Sequence, residues 1–224
     1  MNGTVIDWAS FAEPIRLSLQ VTLLASLIVF AAGAAAAWGM TRVRFRGQTL
    51  LETVMLLPLV LPPTVVGFVL LVLLGRKSAP GIWFEQLFGV SLVFTWYAAV
   101  VASAVVAFPL VYQTVKVGFH SVDRDLQDAA RSMGANEWQV LRMVTLPLAW
   151  RSLRAGYVLG FARALGEFGA TLMLAGNIPG RTQTVPTAIY IAVDSGQTTL
   201  AWLWCGSIVL ISMLLLWIAG KPGR

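Results

Sequence analysis

Four stretches of the chain, residues 17–41, 53–75, 86–115 and 195–220, contain no Asp, Glu, Lys or Arg. A helix needs roughly 20 predominantly apolar residues to cross the hydrocarbon core of a bilayer, and each stretch exceeds that. A fifth, 155–176, has the length but carries Arg163 and Glu167. One such block fits a buried core helix. Five in 224 residues do not, because 12% charged residues cannot cover a soluble domain of that size. The expectation is an all-α membrane protein with about five transmembrane helices.

The formal charge of +6 would suit a nucleic-acid binder, but the placement of the basic residues argues against one. With the N-terminus outside, the inner segments hold Arg42, Arg44, Arg46, Lys116, Arg124, Arg131, Arg142, Arg151, Arg154, Lys221 and Arg224. The outer segments hold only Arg16, Arg76, Lys77 and Arg181. That asymmetry is the positive-inside pattern, so the charge reports topology, with the C-terminus cytoplasmic. No basic residue precedes Arg16, and Asp7 and Glu13 occupy the place of a positive leader region, so the first apolar stretch reads as a retained helix. Cys205 is the lone cysteine, which excludes an internal disulfide and a cysteine metal cluster.

The first helix is expected to begin near Pro14 and end at 38–40. The second holds Pro58, Pro62 and Pro63 within 56–67. Proline removes backbone bonds, so this helix is bent or broken. Such a break lines a pathway or is a kink buried between helices. Residues 76–89 read as a short outer loop, 92–115 as the third helix, and 177–194, rich in Pro, Gly and Thr, as an outer loop that is partly re-entrant in the alternative reading.

The inner segment 123–147 is the longest polar stretch. Asp123 is placed to cap a helix over 124–133, and Gly134 to end it in the left-handed conformation. Asn136 opens a second short helix, with Gln139 in the capping-box position. Leu126, Ala129, Ala130 and Met133 share one side, and the two alanines leave a shallow surface that a partner can approach closely. Leu146-Pro147 marks the restart toward the membrane.

Asp128-Ala129-Ala130, then Gly134, then Leu146-Pro147 resembles the E-A-A-x-x-x-G…L-P motif of importer permeases of the ATP-binding-cassette class, with Asp128 in place of the usual Glu. Three further matches point within that class. The run from Leu56 to Gly67 and the run from Asn177 to Pro186 (N-I-P-G-R-T-Q-T-V-P) are similar to molybdate permeases. The run from Phe161 to Thr171 resembles a stretch shared by sulfate, molybdate and tungstate permeases. The resemblance implies a type I importer permease fold, with 1–224 one transmembrane domain in the cell inner membrane. It implies a homodimer, two cytoplasmic ATP-binding subunits carrying ATP and Mg, and an extracytoplasmic molybdate-binding protein. It makes 123–147 the coupling segment, with Leu126, Asp128, Ala129, Ala130, Met133, Gly134 and Asn136 meeting the ATPase.

Pro62, Pro63, Thr64, Arg163 and Glu167 are the pore or gate candidates. Arg163 and Glu167 are four apart and so share a helical face. Either Arg163 faces the path and attracts a dianion, or the two neutralise each other and hold the packing; the second is favoured, because ionisable groups at that depth are normally paired. No G-x-x-x-x-G-K-[ST] loop occurs, so ATP hydrolysis belongs to another chain and this one needs no cofactor. One histidine, His120, excludes H-E-x-x-H zinc chemistry, and no G-x-S-x-G appears, so an intramembrane enzyme is disfavoured. An ion-driven secondary transporter would carry repeated halves and intramembrane carboxylates, for which Glu167 is the single candidate.

Overall fold

The computed structural model describes residues 7–43 and 45–220. Arg44, Lys221 and Arg224, part of the inner basic count, lie outside the described residues. In chain order the helices are α1 (Trp8–Arg42), α2 (Gln48–Val60), α3 (Pro63–Leu74), α4 (Ala79–Phe88), α5 (Trp96–His120), α6 (Arg124–Ser132), α7 (Glu137–Val140), α8 (Leu146–Leu148), α9 (Trp150–Leu165), α10 (Gly169–Ala175), α11 (Val185–Asp194) and α12 (Thr198–Gly220). A π-helical stretch, Leu141–Thr145, joins α7 to α8. No strand occurs among the described residues.

Three helices, α1, α5 and α12, are long and apolar enough to cross a bilayer alone. Two bent pairs pass the same test when each is taken as one span, which would make five: α2 with α3, turned by 117°, and α9 with α10, turned by 59°. The first break sits at Leu61-Pro62, where two successive prolines have no N–H to give and Pro62 is extended at ψ 136°. The second falls at Gly166–Phe168 and holds Glu167, so both breaks fall on candidate pore residues.

Several boundaries depart from the sequence reading. α1 begins at Trp8, not near Pro14; the Asp7 carboxylate accepts from Ala9 N–H, and the proline is carried inside the helix. α5 starts at Trp96 and runs to His120, five residues past the end of the apolar block. The outer segment 76–89 contains α4, capped by the Ser78 hydroxyl, with Pro80 in its first turn. The connection 177–194 likewise ends in α11, with Pro186 in the first turn. Proline was read as loop punctuation at both places, whereas it also suits a helix start.

The core lies where α1, α5 and α9 pack side by side. Its faces are Val and Ala with interspersed glycine: Val21, Ala25, Val29, Ala98, Ala102, Val106 and Val111 are all buried. Without a hydrophobic drive between helices in lipid, small residues are what lets backbones approach. A Cβ at Gly160 would lie 2.4 Å from Val111 Cγ2, and one at Gly67 would lie 2.7 Å from the Ala170 backbone. Gly169 is also a close approach, 3.2 Å from Pro63 Cβ, whereas Gly166 touches only its own helix and serves to end α9. A second cluster joins α11 to α12 through Val185, Ala188 and Trp204, and Trp204 Nε1 donates to the Phe11 carbonyl at 3.0 Å. α2 has no buried residue at all, and α12 turns Leu210, Met213 and Leu214 outward.

Candidate functional site

The inner segment folds as its capping residues dictate. Asp123 Oδ1 accepts from Asp125 N–H at 2.9 Å, α6 ends at Ser132, and Gly134 takes φ +88°. Asn136 and Gln139 bond reciprocally, at 2.9 and 2.8 Å, to open α7. Leu146-Pro147 opens the short α8, but no loop precedes it and the long helix follows only at Trp150. Pro147 cannot donate to the Met143 carbonyl, and Leu146 N–H reaches back five residues to Leu141, so the helix widens into a π turn before α9 begins at Trp150.

The exposed face carries Leu126 (51% exposed), Ala129 and Met133 (82%), with Asp128, Gly134 and Asn136 also exposed. Ala130 departs from the expectation that both alanines face a partner: it is 7% exposed and turned into its own chain. Beneath α6 lies a cleft of about 820 Å³ whose wall includes Trp38, Arg42, His120, Arg124 and Thr145.

What fixes this segment to the membrane helices was not visible in the sequence. Arg131 Nη1 lies 2.5 Å from Asp128 Oδ1, and its Nε lies 2.8 Å from Glu137 Oε1. Glu137 also pairs with Arg42, at the end of α1 and 95 residues away. Arg42 lies over the Trp38 ring at 4.7 Å, and Trp38 meets Trp138 edge-on at 6.4 Å. Hydrogen bonding from Arg131 holds the Glu137 carboxyl below the ordinary carboxylate range, with Arg42 adding to it. A lowered folded pKa stabilises above the unfolded value and fades as pH falls through the folded one, so this anchor is intact at neutral pH and weakens below the ordinary range of about 4.3. Arg131 and Glu137 thus tie α6 and α7 to Arg42 at the end of α1.

The candidate pore residues meet at the two breaks. Pro62, Pro63 and Thr64 are exposed on this chain at the start of α3, and Gly169 packs against Pro63 and Thr64. Glu167 is 2% exposed; its Oε1 accepts from Ala170 N–H at 2.9 Å, opening α10, and its Oε2 lies 2.7 Å from Arg163 Nη1. Arg163 thus has a fixed counter-charge, and the pair is neutral as it stands.

Glu52 was not picked out by the sequence, since it sits one residue before an apolar block. Its Oε1 accepts from Tyr112 O–H at 2.9 Å and from Lys116 Nζ at 2.5 Å, tying α2 to α5. Gln48 Nε2 adds a bond to the Met40 carbonyl at 2.9 Å. No α2 residue is fully buried, so these polar contacts join the packing of Met55 and Leu56 on the core in holding it. Glu52→Gln or Lys116→Gln should lower stability in thermal melting by up to about 1 kcal/mol, the scale of one partly exposed ion pair. The reversed pair, Glu52→Lys with Lys116→Glu, should restore most of it. Failure of the reversed pair to recover would show that the charges act separately. Among the described residues no cluster suited to a metal ion is present.

A family model described as the binding-protein-dependent transport system inner membrane component matches residues 28–220. The chain belongs to that family. It is therefore a multi-pass inner-membrane subunit of a transport system that works with a substrate-binding protein and an ATP-binding subunit. It is 54% identical over 211 residues to a putative molybdenum transport system permease protein of Bacillus subtilis, covering 94% of this chain and 93% of the relative. The molybdenum transport system permease protein of Escherichia coli K12 is 42% identical, with 92% and 93% covered. A sulfate transport system permease of Synechococcus elongatus is 36% identical, with 91% of this chain and 72% of that relative covered. In fold the family member resembles a subunit of the inward-facing MetNI methionine transporter, at TM-score 0.72, 16% identity and coverage of 94% and 93%. A chain of a bacterial alginate transporter gives TM-score 0.75 at 15% identity, with 95% and 78% covered. These confirm the type I importer permease fold expected from the motif.

Proposed function

We propose that this chain is the permease of an ATP-driven importer that moves molybdate from an external binding protein into the cytoplasm by alternating access. The observation that carries the substrate is the even, near-complete match to molybdenum permeases, against a lower match covering less of the sulfate relative. Residues 1–224 act as a single permease domain. Two copies pair, since α2 has no fully buried residue and the exposed residues Pro62–Val65 need a facing surface to enclose a path. Each copy seats Leu126, Asp128, Ala129, Met133, Gly134 and Asn136 on an ATP-binding subunit, where ATP and Mg reside; this chain needs neither. The positive-inside asymmetry supports an outer N-terminus and a cytoplasmic C-terminus.

The motion follows from the contacts. Closure of the two ATPases moves α6 and α7; Glu137, Arg42 and Trp38 pass the displacement to α1, which packs against α5 and α9. The breaks in α2–α3 and α9–α10 are where the path changes its opening, and the neutral Arg163–Glu167 pair leaves no strong trap to slow release of a dianion. A secondary transporter is disfavoured because the one intramembrane carboxylate candidate is engaged as a cap and a counter-charge.

Labelled molybdate uptake by cells expressing this chain with its ATPase and binding protein should persist under a hundred-fold excess of sulfate. Uptake abolished by sulfate would move the substrate to sulfate, and selective loss to tungstate would move it there.

A further inference from the structure

The segment Asn177–Pro186, singled out in the sequence, takes no part in the coupling surface or the breaks. It is built as a rigid turn. The N–H groups of Arg181, Thr182 and Gln183 all donate to the Ile178 carbonyl, at 3.0, 2.9 and 3.2 Å. Ile178 N–H donates in return to Thr182 Oγ1 at 2.9 Å, and Thr182 is fully buried. Gly180 supplies the left-handed corner at φ +71°. Val185 N–H then donates to Ser18 Oγ at 2.7 Å, a buried bond that pins the turn to α1. Arg16 and Gln20, four apart and so on one face of α1, meet Arg181 and Gln183 from the turn.

The four line one cavity of about 470 Å³, with Tyr97 and Glu13 also in its wall. Its charge is two guanidiniums against one carboxylate, and the two glutamine amides add neutral donors. Among the described residues neither Arg16 nor Arg181 enters an ion pair. The cavity lies at the far end of α1 from Arg42: the 26 positions between Arg16 and Arg42 span about 39 Å at 1.5 Å per residue. That is the face opposite the coupling segment.

We propose that this cavity is a weak binding site for a free tetrahedral oxyanion on the external face, held by Arg16 and Arg181 with Gln20 and Gln183. The proposal rests on the importer reading, which makes this face external and the cargo a dianion. The pinned turn fixes where the Arg181 and Gln183 side chains start, opposite the face of α1 that carries Arg16 and Gln20. The volume exceeds what one small anion fills, so bound water remains and release is fast. A transit site requires that weakness.

The test uses the permease assembled with its ATPase in lipid nanodiscs, with labelled molybdate in equilibrium dialysis and no binding protein. Saturable binding of one molybdate per permease chain is expected. Arg16→Gln or Arg181→Gln should weaken it roughly ten-fold or more, the scale of a lost charge-assisted pair. Arg181→Lys should retain part of it, and Arg76→Gln, an exposed cation outside the cavity, should change nothing. Binding-protein-dependent uptake by the same wild-type complex, reconstituted into proteoliposomes, is measured alongside. Uptake without saturable dialysis binding, or binding that both glutamine variants leave intact, overturns the site while the importer reading stands. Loss of affinity for the binding protein in Arg181→Gln, with no molybdate bound by wild type, also overturns it, because the cavity then belongs to the protein interface. Absence of any uptake by wild type would instead overturn the importer reading.

Discussion

Ala129→Arg is expected to leave the protein inserted in the membrane and to abolish its uptake. Ala129 is exposed on α6 between Leu126 and Met133, and the shallow face they form is proposed to seat in the ATPase. A long charged side chain there holds the partner off, while nothing on the chain's own side is disturbed. Losses at the centre of an interface commonly exceed 2 kcal/mol, so co-purification of the ATPase should fall by about thirty-fold or more. Ala130→Arg is a different experiment. That residue faces inward, so its substitution should lower the amount of folded protein. Normal uptake with Ala129→Arg would remove α6 as the coupling surface.

The second large effect is expected at Glu167. Glu167→Gln keeps an acceptor for the Ala170 N–H but removes the charge facing Arg163. Breaking a buried pair by deleting one partner costs about 3–5 kcal/mol, and the 29% exposure of the Arg163 side chain places this case nearer 2–3 kcal/mol. Thermal melting of the detergent-solubilised protein should therefore drop sharply. The double variant Arg163→Gln with Glu167→Gln should recover much of that loss and keep measurable uptake, as expected for two residues in direct contact. A double variant that melts like wild type yet transports nothing would instead give Arg163 a direct role with the anion.

Local signals in the sequence carried through to the structure where a single residue satisfies its own neighbours. Asp123 caps α6, Gly134 turns out of it, and Asn136 with Gln139 opens α7, because each acts within three or four residues. The proline pair at 62–63 was sufficient to place a break for the same reason. Contacts made across the fold were not legible. Arg42 finds Glu137 over 95 residues, and Glu52 finds Lys116 over 64, and no local pattern encodes either meeting. Sequence reasoning also erred where a residue has two uses. Pro80 and Pro186 open short helices that are held by packing, as the buried Val185, Thr187 and Ala188 show for α11. The inward turn of Ala130 escaped notice because a helical face read from spacing does not say which edge the rest of the chain will cover.

The measurement that bears most directly on the central claim is molybdate uptake into proteoliposomes holding this permease and its ATPase, with the binding protein outside and ATP sealed inside. Uptake is predicted to require all three and to be indifferent to collapse of the proton and sodium gradients. Uptake that continues without ATP, or that stops when an ion gradient is collapsed with ATP present, would contradict it.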